Sequence, residues 1–226
     1  MAVADIAATV RERAAQELRD RILTGSMPAG SRVDLDALTE EFATSRTPVR
    51  EALLELSFEG LVKIAPRSGI TVIGANAEDV MDSFTILGVL TGQAAAWAAE
   101  RVSAPELAAL RKLSADVAAR AGDDSIGKAN WLFHQEIHRA AHSPRLLAQL
   151  RQAARVVPSN FLTVFPEHEN HSLDEHEQLL DALGERDAES ARAIAERHVL
   201  EAGRSLSAWL AERAVTTPEG PSPDRH

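Results

Sequence analysis

Apolar residues recur at every fourth position near the start of the chain, and this spacing predicts a helix with one apolar face. The positions are Val10, Ala14, Leu18 and Ile22. The segment "TGSMPAG" at residues 24–30 then ends the predicted helix, because glycine and proline both interrupt helical structure.

Two further helices and a hairpin are predicted to follow. Asp34 can cap a short second helix, and Pro48 fits the first turn of a third helix, where a missing N–H group has little effect. The apolar positions of the third helix are Val49, Ala52, Leu53 and Leu56. Beyond Gly60, the β-prone segments "LVKIA" and "GITVI" are separated by "PRSG". This order of elements predicts a winged helix-turn-helix domain over residues 1–75.

The rest of the chain has a helical period, which predicts an all-α bundle over residues 76–214 and a mainly α fold class. The helices are expected near 78–101, 105–121, 127–142, 145–164, 172–184 and 187–213. Pro158 is expected to kink the fourth of them. Residues 215–226 are rich in proline, glycine and charge, and we expect a disordered tail.

Composition narrows the class of protein. The chain has 226 residues, of which 45 % are hydrophobic, and no cysteine, so disulfides and thiolate metal ligands are excluded. Its apolar segments are too short to cross a bilayer, and we see no secretory signal. We therefore expect a cytoplasmic protein that has no membrane partner.

Charge is unevenly distributed along the chain. The net charge is −10, yet residues 1–75 hold 9 basic and 11 acidic residues, while the remainder holds 15 and 23. Any surface that binds anions must therefore be local and lie in the first domain. Arg46 and Arg50 at the start of the third helix are the candidates, since a guanidinium can bind a phosphate or a guanine edge. The alternative is that both arginines form exposed ion pairs and bind nothing.

This region resembles the DNA-binding domain of GntR-type bacterial transcription regulators. The similarity covers "LRDRILTGSMPAGSRVDLDALTEEFATSRTPVREALLELSFEGLVKIAPRSGITV". The resemblance implies that Ser45, Arg46, Thr47 and Arg50 contact operator DNA and that the wing, with Arg67 and Gly69, reaches the minor groove. Some members also have an arginine on the second helix, where this chain has Asp34 and Asp36. One such domain makes few phosphate contacts, so we expect a homodimer on a palindromic operator in double-stranded DNA.

Histidines of the second domain follow a helical stripe. "NWLFHQEIHRAAH" places Asn130, His134, His138 and His142 four residues apart on one face. His176 and His198 lie on other predicted helices, and imidazoles from separate helices can form a metal site. A single histidine is more often structural, which is the interpretation given to His138, His142 and, in a predicted loop, His168 and His171.

The second domain is similar to the all-helical FCD effector domain of the FadR subfamily of GntR regulators. "FHQEIHRAAHSPRLLAQL" and "DEHEQLLDALGERDAESARAIAERHV" carry the similarity. The resemblance implies a divalent metal, taken here as zinc, that is bound by Asn130, His134, His176 and His198. Asn130 replaces an aspartate, and a neutral carboxamide leaves the metal its full charge.

The resemblance also implies a small-molecule effector, and we expect a carboxylate. Many relatives have an arginine on the first FCD helix, where this chain has Leu87 and Thr91. Arg151 and Arg155 are the candidates to replace it. The sequence thus predicts a DNA-binding transcription regulator, a repressor, controlled by an acidic effector at a metal-containing pocket.

Two other interpretations stay open at this point. One is a metal-dependent hydrolase fused to a DNA-recognition module, since three histidines and an open position resemble a catalytic zinc centre. It lacks a general base, because Glu136 should point away from His134 around the helix. The other is a structural metal site, or none, in a domain that serves only for dimerisation.

Overall fold

The four-residue apolar spacing produces helix α1, Val10–Leu23. Thr9 begins this helix with a capping box, in which its side chain accepts from the Glu12 backbone and the Glu12 side chain accepts from the Thr9 backbone. The computed structural model describes residues 9–66, 69–123 and 125–216. The chain divides into two units between Ala75 and Asn76.

The first unit combines helices with a small antiparallel sheet. Helices α2, Leu35–Glu41, and α3, Arg46–Phe58, follow α1. Strands β1, β2 and β3 are Arg32–Val33, Val62–Ala65 and Gly69–Val72, and their order in the sheet is β1-β3-β2. The hairpin of β2 and β3 is the predicted wing. Strand β1 was not predicted, because two residues are too short to show an alternating pattern.

The core of the first unit lies between the helices and the sheet. Val49, Leu53 and Leu56 of α3 are fully buried, and burying each such side chain contributes about 2 kcal/mol. Asp34 caps α2 as predicted, with Oδ1 accepting from the backbone N–H groups of Asp36 and Ala37. Because one face of α3 is buried in this core, its other face is exposed at the surface.

The second unit is all-helical over its described residues. Its elements are α4 Ala77–Arg101, α5 Ala104–Ala118, α6 Ile126–Ala140, α7 Pro144–Ala153, a 3₁₀ turn Ala154–Val156, α8 Phe161–Val164, α9 His168–Glu185 and α10 Ala188–Thr216. The predicted single helix over 145–164 is wrong, because the chain leaves helical geometry before Pro158 instead of kinking there. His168 and His171 belong to α9, so their assignment to a loop is also wrong. Helix α10 continues into the tail predicted from residue 215, and residues 217–226 lie outside the described residues.

Helices α4 and α10 approach each other closely at glycines. A Cβ atom on Gly203 would lie 2.6 Å from Cβ of the fully buried Phe84, and one on Gly92 would lie 3.1 Å from the backbone oxygen of Arg192. This contact leaves no room for larger side chains. Among the described residues, the helices are all too short or too polar to cross a bilayer.

Candidate metal centre and DNA-binding surface

Three helices of the second unit bring imidazole nitrogens together. His134 lies on α6, His176 on α9 and His198 on α10. The Nε2 atom of His134 is 3.3 Å from Nε2 of His176 and 3.2 Å from Nε2 of His198. Nitrogens that share a tetrahedral zinc ion at about 2.1 Å are separated by about 3.4 Å. The observed separations therefore match the edges of a metal coordination shell.

Hydrogen bonds among the imidazoles cannot account for both contacts. A ring nitrogen carries either one proton or one lone pair, so Nε2 of His134 can satisfy His176 or His198 but not both. His198 donates from Nδ1 to Glu175, at 2.8 Å from Oε2, which leaves a lone pair on its Nε2 atom. A cation placed among the three nitrogens would satisfy all of them at once.

Glu175 supports this arrangement from behind His198. It is 2 % exposed, and its Oε1 atom accepts from Nε of Arg197 at 3.0 Å. Burial opposes ionisation of this carboxyl group, but the hydrogen bonds from His198 and Arg197 outweigh it and lower its pKa. His171 also lies near, with Nε2 3.6 Å from Glu175 and 2.5 Å from Glu201. An anion that accepts from Nδ1 fixes a ligating histidine in the required tautomer.

His134 and His176 have the neutral form that a metal ligand needs. Burial lowers the pKa of His134 well below its usual value, and the neighbouring histidines His198, His176 and His138 lower it further. Burial and the charge of His198 likewise lower the pKa of His176. Proton binding at these two rings therefore competes little with a metal ion at neutral pH.

Asn130 is on the same helix as His134, one turn earlier. Its buried Oδ1 atom has no hydrogen-bond partner within the described part of the chain. A buried carbonyl oxygen without a partner is unusual, and a cation is one of the groups that can satisfy it. The three imidazoles alone could hold a divalent ion, and the Asn130 oxygen on the same helix as His134 is a candidate for a further ligand.

A small cavity adjoins the three histidines. It encloses about 10 Å³, the space for about one water molecule. Thr91 of α4 and His138 of α6 line it, and both Thr91 Oγ1 and His138 Nε2 are buried without a hydrogen-bond partner among the described residues. Burial lowers the pKa of His138 to about 4, so this ring is neutral. Thr91 and His138 therefore offer neutral polar groups to an occupant of the cavity.

Several predicted residues lie elsewhere. Arg151 is exposed on α7 and Arg155 lies in the 3₁₀ turn, and neither lines the cavity. His142 follows the end of α6 and is 3.2 Å from Glu106. Glu136 pairs with Arg139, 3.0 Å away, and does not line the cavity either.

The start of α3 presents the predicted DNA-contacting residues together. Ser45, Arg46, Thr47 and Arg50 are all exposed, whereas Val49 is buried. Ser45 precedes the helix, and its side chain makes no capping hydrogen bond. Gly69 has a φ of +86°, a conformation that favours glycine, and begins β3 of the wing. Arg67 lies outside the described residues.

Glu55 near the end of α3 and Glu59 directly after it form ion pairs with arginines of α1. Arg19 of α1 is 2 % exposed, and its Nε and Nη2 atoms each lie 2.7 Å from a carboxylate oxygen of Glu59. Glu55 is 3.6 Å from Arg19 and 3.3 Å from Arg11. These cations offset the negative charge near the end of α3. Arg46 and Arg50 lie in its first turns, which are therefore the part suited to a polyanion.

Comparison with protein families identifies both units. Residues 10–72 match the family described as "Bacterial regulatory proteins, gntR family", and residues 82–201 match the FCD domain. The chain belongs to the GntR family and carries an FCD domain. Members of this family are DNA-binding transcription regulators and not enzymes, which removes the hydrolase alternative for this GntR regulator.

Relatives that align with most of this GntR regulator are also described as transcriptional regulators or repressors. An uncharacterized HTH-type transcriptional regulator of Mycobacterium tuberculosis is 24 % identical over 214 residues, 94 % of this chain and 88 % of that protein. The galactonate operon transcriptional repressor of Escherichia coli is 25 % identical over 217 residues, 84 % and 93 % of the two chains. The solved structure of E. coli McbR/YncC has a TM-score of 0.69 at 23 % identity, and the match covers 92 % of this chain and 99 % of that one. The predicted fold class is confirmed.

Three residues near the candidate metal centre of this GntR regulator were not predicted to take part in it. Glu175 could have been found from its place beside His176, since a carboxylate often supports a histidine ligand. His138 was treated as structural, although it shares the stripe of His134. Thr91 was noted only as a replacement for an arginine, and an isolated threonine in a helix carries no signal of its own.

Proposed function

We propose that this chain is a repressor that binds a palindromic operator as a homodimer and is released by a small carboxylate at a zinc-containing pocket. The observation that carries the metal site is the approach of two Nε2 atoms, those of His176 and His198, to Nε2 of His134 at 3.3 and 3.2 Å. The relative described as the galactonate operon transcriptional repressor supports repression rather than activation. A repressor acts on chromosomal DNA, so we also propose that this protein is located in the cytoplasm.

Operator contact is assigned to Ser45, Arg46, Thr47 and Arg50. Their exposure at the beginning of α3 supports insertion of this end of the helix into the major groove. Gly69, together with Arg67 of the wing, is assigned to the neighbouring minor groove. One copy of this small basic surface neutralises few phosphates, which supports binding by two copies to a symmetric site.

Zinc is assigned to His134, His176 and His198, with Asn130 as the fourth ligand. Nitrogen ligands in neutral form favour zinc over magnesium or calcium, which prefer oxygen. When bound, zinc supplies a positive charge that attracts an anionic group. The chain's own contribution is to orient the imidazoles through Glu175 and to exclude bulk water.

The effector is assigned to the side of the cavity lined by Thr91 and His138. A carboxylate bound at the metal could accept from the Thr91 hydroxyl, which has no partner among the described residues. Because the cavity holds about one water molecule, any larger ligand must displace helices that line it. That requirement supports coupling between effector and operator, which by thermodynamic linkage must be reciprocal. Arg151 and Arg155 remain candidates only for a ligand that extends beyond the cavity.

The metal is tested by elemental analysis and thermal unfolding of the purified chain with and without a chelator. We expect about one zinc ion per chain and a melting temperature that falls on chelation. His134→Ala should remove both the zinc and the effect of the chelator. His142→Asn is the matched control, because it replaces an exposed histidine at a φ of +49° that asparagine tolerates. Zinc content that is the same in wild type and His134→Ala would refute the site.

Operator binding is tested with duplexes selected from a random library by the wild-type chain. Arg50→Ala should lower affinity for the selected duplex and reduce the salt slope by about one per protomer. Arg13→Ala removes an equal charge from an exposed position on α1 and serves as the control. A selected sequence without twofold symmetry, or a monomer in the complex, would refute the dimer. Screening carboxylates for release of the duplex then tests the effector.

A further inference from the structure

Arg46, at the start of α3, has a counter-charge in the free protein. Its Nη2 atom lies 2.6 Å from Oδ1 of Asp36, in the first turn of α2. The two side chains are 66 % and 69 % exposed, so the pair lies on the surface. Exposed ion pairs contribute little to folding stability. Any effect of Asp36 is therefore expected on binding at this surface and not on folding.

Asp36 distinguishes Arg46 from the other arginine of the surface. Arg50, four residues later, has no ion-pair partner within the described part of the chain. A guanidinium without a counter-charge attracts any phosphate, whereas one bound to a carboxylate must share or release its partner before it can bind a phosphate fully. The carboxylate itself also repels the phosphate backbone.

We propose that Asp36 determines specificity, by holding Arg46 as an ion pair and so weakening sequence-independent DNA binding more than operator binding. This rests on the proposed DNA-contacting role of Arg46. Non-specific affinity comes almost entirely from phosphate neutralisation. Because Asp36 reduces the charge that Arg46 offers to a phosphate, it lowers non-specific affinity in full. A guanidinium has five N–H donors, and one held by Asp36 can still present others to a guanine edge in a cognate site.

Asp34 provides a matched control in the same turn of α2. It is exposed and carries the same charge, but its Oδ1 atom caps the helix by accepting from the backbone of Asp36 and Ala37. Asparagine caps helices about as well as aspartate. Asp34→Asn therefore makes the same change in net charge as Asp36→Asn while leaving the pair with Arg46 in place.

The experiment measures affinity of the full chain for two duplexes across a range of salt concentrations. One duplex is selected from a random library by the wild-type chain, and the other is a scrambled sequence of equal length. Asp36→Asn should bind the scrambled duplex several-fold more tightly, with a smaller gain on the selected one. Its salt slope on the scrambled duplex should be steeper by about one per protomer. Asp34→Asn should remain close to wild type.

The pair itself is tested by a double-mutant cycle. In an Arg46→Ala background, Asp36→Asn should change the ratio of the two affinities little, because the partner is gone. Equal gains on both duplexes, equal gains from Asp34→Asn, or no change with Asp36→Asn would overturn the proposal and leave DNA binding intact. If the wild-type chain selects no duplex, the DNA-contacting surface itself is refuted, and this proposal falls with it.

Discussion

Oε2 of Glu175 lies 2.8 Å from Nδ1 of His198, while Nε2 of the same ring faces His134. The carboxylate thereby selects the tautomer whose lone pair points to the candidate metal centre. Glu175→Gln keeps the shape of the side chain but removes the charge that favours this tautomer. We expect zinc affinity to fall by about 10- to 100-fold, measured by competition with a chromogenic chelator.

Glu177→Gln is the control for this change, since Glu177 lies on the same helix but is exposed. It should bind zinc as the wild type does. Cobalt substitution adds an independent readout, because the visible spectrum of bound cobalt reports on ligand geometry. An unchanged spectrum and affinity in Glu175→Gln would mean that His198 is oriented by other contacts.

Asn130→Asp should strengthen zinc binding and weaken carboxylate binding. An anionic oxygen attracts the metal more strongly than a neutral amide and lowers the charge left for an effector. A change of about tenfold in each affinity corresponds to about 1.4 kcal/mol, which calorimetry resolves. Gln135→Glu adds the same charge five residues farther along α6 and should alter neither affinity as much. If Asn130→Asp changes neither, Asn130 is not a ligand.

Arg19→Met should destabilise the first unit by about 3 kcal/mol. The substitution leaves Glu59 without its bidentate partner in a mostly buried position, and removing one member of such a pair is costly. Arg21→Met is the comparison, because its partners Glu17 and Glu41 are about half exposed. The ion pairs of Arg21 should contribute less than about 1 kcal/mol to the free energy of unfolding. Urea unfolding of both variants measures the difference, and equal losses would contradict the argument.

Acid should destabilise the metal-free protein from about pH 6.5 downward. His138 has a pKa of about 4 when folded and about 6.5 when unfolded. Above pH 6.5 both states are neutral, but below it the unfolded chain gains a proton that the folded chain lacks. The free energy of unfolding then falls by up to about 3 kcal/mol between about pH 6.5 and 4. The lowered pKa values of His134 and His176 act in the same direction.

Urea unfolding at several pH values, in the presence of a chelator, measures this dependence. His138→Leu should reduce the slope between pH 6.5 and 4, because the variant has one titrating histidine fewer. His142→Asn removes an exposed histidine and should leave the slope close to that of the wild type. A slope that is identical in all three proteins would show that His138 does not titrate in this way.

The winged helix-turn-helix could be predicted from local signals. The spacing of Val49, Leu53 and Leu56 selects one face of α3, and Asp34 caps α2 by contacts within a few residues. The prediction failed where distant packing decides the structure. The chain around Pro158 forms three short pieces, and His168 joins α9, where its ring lies against Phe161 and Phe165.

The candidate metal centre was only partly accessible from the sequence. Periodicity places Asn130 and His134 on one face of one helix. Nothing local brings His176 of α9 and His198 of α10 to the same point, so those two rested on family resemblance. Glu175 and Thr91 acquire their roles only when α4, α9 and α10 are packed together, which is a property of tertiary structure.

Helix α4 runs without a break from the cavity to the boundary between the two units. It carries Thr91 beside the candidate metal centre and begins at Ala77, directly after its cap Asn76 and the last residue of the first unit, Ala75. Fourteen residues of α-helix span about 21 Å, so a tilt of about 5° at Thr91 displaces Ala77 by about 2 Å. Under the proposed function, a ligand that widened the cavity would tilt α4. The tilt would move the residues that connect α4 to the first unit, Ala75 and Asn76.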